Sequence, residues 1–234
     1  MLYYYRQEVQ QLLGDLKSEL FAPIFLNSYI NKARLFVAGE AQCIRNYGNI
    51  SYLPSITSAP FSSVVLTGAT AGIQGVLNVR MAAYLVASGQ RFIRTQPWEW
   101  FFTYKLNNPN TVPGQFPDSW AQQGQGTAGT LWIAPASINM VILNLDVVCY
   151  PVNLIDDTTL EAIPVPWTEA VPFWAAWYAF QQVQQHDLAD KMMERYKDMM
   201  ERASQMSTST ATPFIYQRKT PPTLANTLGM QAKP

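Results

Sequence analysis

Hydrophobic positions change their period three times along the chain. In residues 4–20, Val9, Leu12, Leu13, Leu16 and Leu20 recur three or four apart, with Arg6, Gln7, Gln10, Gln11, Asp15 and Lys17 between them. That spacing places them on one stripe of an amphipathic helix. Phe21-Ala22-Pro23 interrupts the pattern, because proline removes an amide donor and clashes with the preceding turn. The period resumes with Leu26, Ile30, Ala33, Val37, Ala41 and Ile44, and Asn46-Tyr47-Gly48-Asn49 supplies a stop signal. Residues 1–49 therefore read as a helical hairpin.

Between residues 50 and 166 helical spacing gives way to short β-rich runs punctuated by Pro, Gly, Asn and Ser, the pattern of strands and turns. Strands are expected at Ser63–Thr67, Val76–Ala87, Arg91–Thr95, Trp98–Leu106, Thr130–Ala134 and Met140–Pro151, with a tight turn at Ser88-Gly89-Gln90. Residues 107–129 read as a long Gln-, Gly- and Pro-rich loop. Loops of that length inside a domain tend to be functional or ordered by a partner.

The widest apolar face lies in residues 167–203, the stretch that the rest of the chain is expected to pack against. Ala170, Phe173, Trp174, Trp177, Tyr178 and Phe180 cover too much of a helix for one side to remain in water, so this helix is expected to be buried. Pro172 fits its opening turn, where a missing amide costs little. After Gln181-Gln182-Val183-Gln184-Gln185-His186-Asp187, the residues Leu188, Met192, Tyr196, Met199 and Ala203 continue at helical spacing among charged neighbours, which predicts a second helix with one wet face. From 204 to 234 Ser, Thr and Pro dominate and no period survives, the pattern of an extended tail. Its apolar islands Phe214, Ile215, Tyr216, Leu224 and Leu228 are candidate partner-docking residues. The expected fold class is α+β: N-terminal (1–49) and C-terminal (167–203) helical hairpins forming a bundle, a β-rich middle (50–166) as a sheet or small barrel, and the tail.

Composition changes this picture in two ways. Hydrophobic residues make up 48% of the 234, ample for a core, but charged residues are only 14%, well under the roughly 25% usual for globular domains. Much of the surface is thus uncharged and available for burial by partners. Sixteen basic residues balance sixteen acidic ones, so global charge makes no case for nucleic-acid or membrane binding. Cys43 and Cys149, in an expected helix and strand, lack metal-ligand spacing and read as core thiols. The N-terminal residues lack the pattern of a signal peptide and no run approaches the length of a membrane span, so the chain is expected in the cytoplasm where it is made.

Candidate chemistry is sparse. Residues 64–75, VVLTGATAGIQG, resemble the glycine-rich turn of short-chain dehydrogenases, where a strand, glycines and a helix cradle a pyrophosphate. Gln74 stands where the last glycine belongs, and no tyrosine is followed four residues later by lysine. An NAD(P)-dependent oxidoreductase using 68–75 is kept as the alternative reading. The single histidine, His186, sits at a helix junction and reads as a cap or turn residue; Asp156-Asp157 reads as turn chemistry. No G-x-S-x-G, Walker or H-E-x-x-H motif occurs. Trp98-Glu99-Trp100-Phe101-Phe102 could stack nucleobases, but alternating aromatics fit a core strand better, and Arg91, Arg94 and Lys105 are too few to track a phosphate backbone. No catalytic, cofactor-binding or metal residue is assigned, no cofactor is expected, and the chain is not expected to be an enzyme.

The order of segments carries a resemblance. A helical pair with YINKARLFVAGE precedes a β-rich region with RFIRTQPWEWF; then come GTLWIAPASINMVILNLDVVCYPVNLIDD and IPVPWTEAVPFWAAWYAFQQVQQHDLADKMMERY. This series resembles the head-to-tail adaptor (connector) proteins of tailed bacteriophages, especially short-tailed ones, over residues 1–203. The resemblance implies a structural virion protein at the head–tail junction: a homo-oligomeric ring, commonly a dodecamer, between the portal protein and the tail nozzle protein, continuing the channel through which DNA passes without sequence-specific binding. It implies no membrane partner and no catalytic residue. The tail would dock on the portal or on neighbouring subunits. Another tail-completion protein would share these features. Residues 107–129 carry no motif in common with that family.

Overall fold

The computed structural model describes residues 1–15, 17, 19–86, 89–106 and 112–207. Helix α1 spans Leu2–Leu13 and stops at Gly14, whose φ of 69° turns the chain into the left-handed region that glycine enters without a Cβ clash. The stripe expected through Leu20 therefore breaks early. Asp15 folds back instead, its carboxylate accepting from the amides of Glu19, Leu20 and Phe21 at 2.8, 3.1 and 2.9 Å. Leu20 is left 75% exposed, and the buried face of α1 is Leu2, Tyr5 and Val9.

Helix α2 (Pro23–Ala41) opens on its proline and buries Leu26, Ile30, Ala33 and Val37, as their spacing requires. It ends three residues before the expected Ile44. The Asn46-Tyr47-Gly48-Asn49 stop lies inside strand β1 (Arg45–Tyr52). Pairing on both sides overrides the turn preference of Asn and Gly, since β-propensity follows a residue's neighbours more than its type. Gly48 serves close approach: a Cβ there would meet Val64 at 2.7 Å. Buried Asn46 donates its side-chain amide to the Ala69 carbonyl at 2.8 Å.

The strands form two sheets. The five-stranded sheet runs β3 (Val65–Leu66), β1, β9 (Val141–Pro151), β4 (Ile73–Val86), β5 (Gly89–Phe92), antiparallel throughout. The four-stranded sheet runs β2 (Ser58–Pro60), β8 (Thr130–Ala134), β7 (Ser119–Gln123), β6 (Arg94–Thr95), with β6 parallel to β7. β8 and β9 fall where the sequence places them. The expected strand Arg91–Thr95 divides at buried Ile93, where the chain leaves one sheet for the other. The expected turn residue Gly89 instead opens β5, opposite Val86. The stretch taken as one loop, 107–129, contains β7 and a 3-10 turn at Gly126–Ala128.

Trp98–Leu106 is not a strand. Pro97 leads into helix α3 (Trp98–Phe101), which continues as a π-helical turn over Phe102–Leu106. Phe101 is fully buried with Ala121 and Ala134, and Trp98 packs on Trp132 with centroids 5.5 Å apart. Aromatics at 98 and 101 share a helical face, and that burial decides the conformation.

A 3-10 turn at Trp167–Ala170 opens α4 (Val171–Gln182), which packs against α1, α2 and α5 (His186–Ser207). Trp174 of α4 stacks on Phe36 at 5.1 Å and on Tyr178 at 5.6 Å. Trp177 is only half-buried. The helices join the inner side of the five-stranded sheet, Ile50, Leu143, Leu145 and Val147, in one continuous core. Buried Arg34 ties the two layers: its guanidinium donates to both Glu161 oxygens at 2.8 and 2.7 Å and to the Val152 carbonyl at 2.7 Å. The fold is α+β. α5 extends past Ala203 to Ser207; Phe214, Ile215, Tyr216, Leu224 and Leu228 lie outside the described residues.

Candidate functional site

The glycine-rich stretch does not form a nucleotide cradle. Gly72, at φ 75°, leads directly into β4, so the helix whose amides would face a pyrophosphate is replaced by a strand. A Cβ on Gly68 would collide with the side chain of Asn46, which accounts for that glycine by packing.

The other sequence candidates take structural parts. His186 is the exposed first residue of α5. Asp156 accepts from the backbone and hydroxyls of Thr158 and Thr159 at 2.8–3.0 Å, and those bonds hold its carboxyl below the usual range. Asp157 turns away and accepts from the Tyr3 amide at 2.6 Å, near the start of α1. The two carboxylates are not a pair. Cys149 is buried in β9, while Cys43 lies in the link after α2 rather than in a helix. Burial pushes the thiols up to about 11 and about 12 respectively, which leaves little reactive thiolate at neutral pH. Among the described residues no cluster of three His, Cys, Asp or Glu could hold a metal, and no helix is long and apolar enough to cross a membrane.

What remains is surface. The five-stranded sheet has one face in the core it shares with the helices and the other sheet, and one face open. Its register places Val65, Asn49, Asn144, Ala83 and Phe92 in one row across all five strands, and Tyr47, Asp146 and Met81 in the next. Side chains alternate along each strand, so the residues between these rows point inward. Tyr47, Val65, Met81, Phe92 and Ile142 are exposed on the open face, between the polar Asn49, Asn144 and Asp146. Arg80 reaches Asp146 at 3.5 Å. A shallow concavity of about 510 Å³ is bordered by Tyr47, Met81, Phe92, Asn144 and Asp146. No protein-family model and no curated protein matches the sequence.

The aromatic run beside this face is divided by α3. Trp98 and Phe101 turn inward, whereas Trp100, Phe102 and Tyr104 are exposed. Trp100 borders a second concavity, of about 620 Å³, together with Arg91, Arg94 and Lys105. The sequence shows these aromatic and basic residues but not their convergence. They lie on three elements and meet only because the chain crosses between sheets at Ile93.

Proposed function

We propose that the chain is a structural virion protein, one subunit of a head-to-tail adaptor ring that joins the portal protein to the tail nozzle of a tailed phage and continues the DNA channel. In this reading the two helical hairpins form the bundle that stiffens each subunit, twelve copies close the ring, and residues 206–234 dock on the portal. It is a scaffold and carries no catalytic residue.

The observation that carries the reading is the open face of the five-stranded sheet. A face that leaves Tyr47, Val65, Met81, Phe92 and Ile142 in water, laced with Asn49 and Asn144 and with Asp146 paired to Arg80, has the composition of a surface covered by another chain. Ring closure needs a heterologous contact of this kind, one patch against a different patch on the next copy. The packing of α4 against both α1 and α2 suits a subunit whose rigid layer backs that contact, and the segment order that resembles the adaptor proteins supplies the place in the particle.

Native mass spectrometry of the full chain, alone and mixed with portal rings, tests the proposal. A fixed stoichiometric ring on the portal supports it; a chain that ignores portal rings and stays monomeric overturns it. Deleting 206–234 should leave the fold intact and weaken portal docking, so unchanged particle assembly by the truncated chain would remove the role given to that segment.

A further inference from the structure

The cleft at the crossing between the two sheets shares only Phe92, at its rim, with the open face proposed for the ring contact. β5 ends at Phe92, Ile93 turns inward with its amide donating to Ala82 at 2.9 Å, and β6 joins the other sheet. Arg91 and Arg94 thereby reach one concavity from the edges of two different sheets. The carboxylate in its lining, Asp118, is already engaged: Lys105 donates to both its oxygens at 3.1 Å, and the Ser119 hydroxyl donates at 2.6 Å. Neither arginine forms an ion pair among the described residues. Two guanidinium charges are thus left uncompensated.

The walls between them are aromatic. Tyr84 and Phe116 stack at 4.7 Å with planes 9° apart, while Trp100 and Phe92 are 38% and 60% exposed at the rim. A simple anion would engage the arginines and leave these rings in water; an apolar peptide would cover the rings and bury the arginines without a partner. A phosphorylated base satisfies both, because guanidinium groups pair with phosphate oxygens in parallel and aromatic faces stack on any base. A volume of about 620 Å³ falls in the range of small-ligand sites. We infer that this cleft binds a nucleotide unit, free or within a single strand, with its phosphate on Arg91 and Arg94 and its base against Trp100 and the neighbouring rings. The inference stands apart from the ring and from the glycine-rich stretch, which lies elsewhere in the fold.

Fluorescence anisotropy of labelled oligothymidylate titrated with the full chain tests it, with thymidine monophosphate, duplex DNA and inorganic phosphate as competitors. Saturable binding is expected, with a slope of about −0.7 for log affinity against log salt, as one phosphate of a single strand is neutralised. Arg91→Gln, Arg94→Gln and Trp100→Ala should each weaken it by roughly tenfold. All three side chains are exposed, and circular dichroism checks that the variants fold. Competition by the monophosphate assigns a free nucleotide and competition by the strand alone assigns a strand; either upholds the site. Three results would overturn it: no binding of oligomer or monophosphate, inorganic phosphate or duplex competing as well as the single strand, or variants that bind like the parent. Ring formation, or its absence, leaves each of these outcomes unchanged.

Discussion

The two faces of the five-stranded sheet are built from alternate residues of the same strands, yet they obey different rules. Inward, Ile50, Leu143, Leu145 and Val147 are sealed in the core, where Arg34 is matched with Glu161, and at its edge Asn31 pairs with both backbone groups of Leu154. Outward, aromatic and aliphatic side chains stand in water beside asparagines. Burial thus dictates the inner face to the atom. The outer face is under no such constraint within one chain, and the proposed reading assigns its apolar content to a partner that covers it.

The largest effect should come from the matched charges of the inner boundary. Arg34→Ala leaves the Val152 carbonyl without its side-chain donor and the Glu161 carboxylate with the Ile163 amide but no positive charge, in a site where Arg34 is fully buried; breaking such a pair costs about 3–5 kcal/mol. Urea unfolding of the purified variant measures it, and a loss below about 1 kcal/mol would mean that water reaches the pair. Leu143→Ala comes next. It removes a side chain with no exposed area near the start of β9, which should cost about 2–5 kcal/mol depending on how far the surrounding core can settle into the space.

These two faces also divide what the sequence made legible. Strong periods with one competing partner were readable: β8, β9, α4 and α5 lie close to their expected places because alternation or helical spacing there coincides with what is buried. The failures share a cause, which is a neighbour that local pattern cannot see. Asn46–Asn49 has turn composition but is held as strand by β9 and β3. Ser119–Gln123 looks like polar loop, yet Trp120 and Ala121 are buried where β7 pairs between β8 and β6. At 98–102 alternation and helical spacing coincide, and the pocket for Phe101 decides between them. The cleft was illegible for the same reason, since Arg91, Arg94 and Trp100 converge through a crossing between sheets.

A smaller effect, and one with a pH signature, is expected at the end of α1. Burial works to raise the Asp15 carboxyl, but the amides of Phe21, Glu19 and Leu20 outweigh it and hold the group below its usual range. A depressed folded value means that the carboxylate stabilises the fold above its ordinary value of about 3.9 and loses that contribution as pH falls through the folded value. Asp15→Asn should therefore lower the melting temperature at neutral pH, and the gap from the parent should narrow below about pH 4. A gap independent of pH would assign the role to shape rather than charge.

The smallest effect on stability is the sharpest test of the comparison. Ile142 neighbours Leu143 on β9 but is 49% exposed on the open face, so Ile142→Ala should change the unfolding free energy of an isolated chain by no more than about 0.5 kcal/mol. If a second copy covers this face, the same substitution, combined with Tyr47→Ala on the far side of the Asn49–Asn144 row, should lower the population of oligomer in native mass spectrometry while the monomer melts unchanged. A double variant that assembles like the parent would place the covering partner elsewhere. One that unfolds as readily as Leu143→Ala would mean that the outer face is part of the subunit's own core, and the distinction between the two faces would fall.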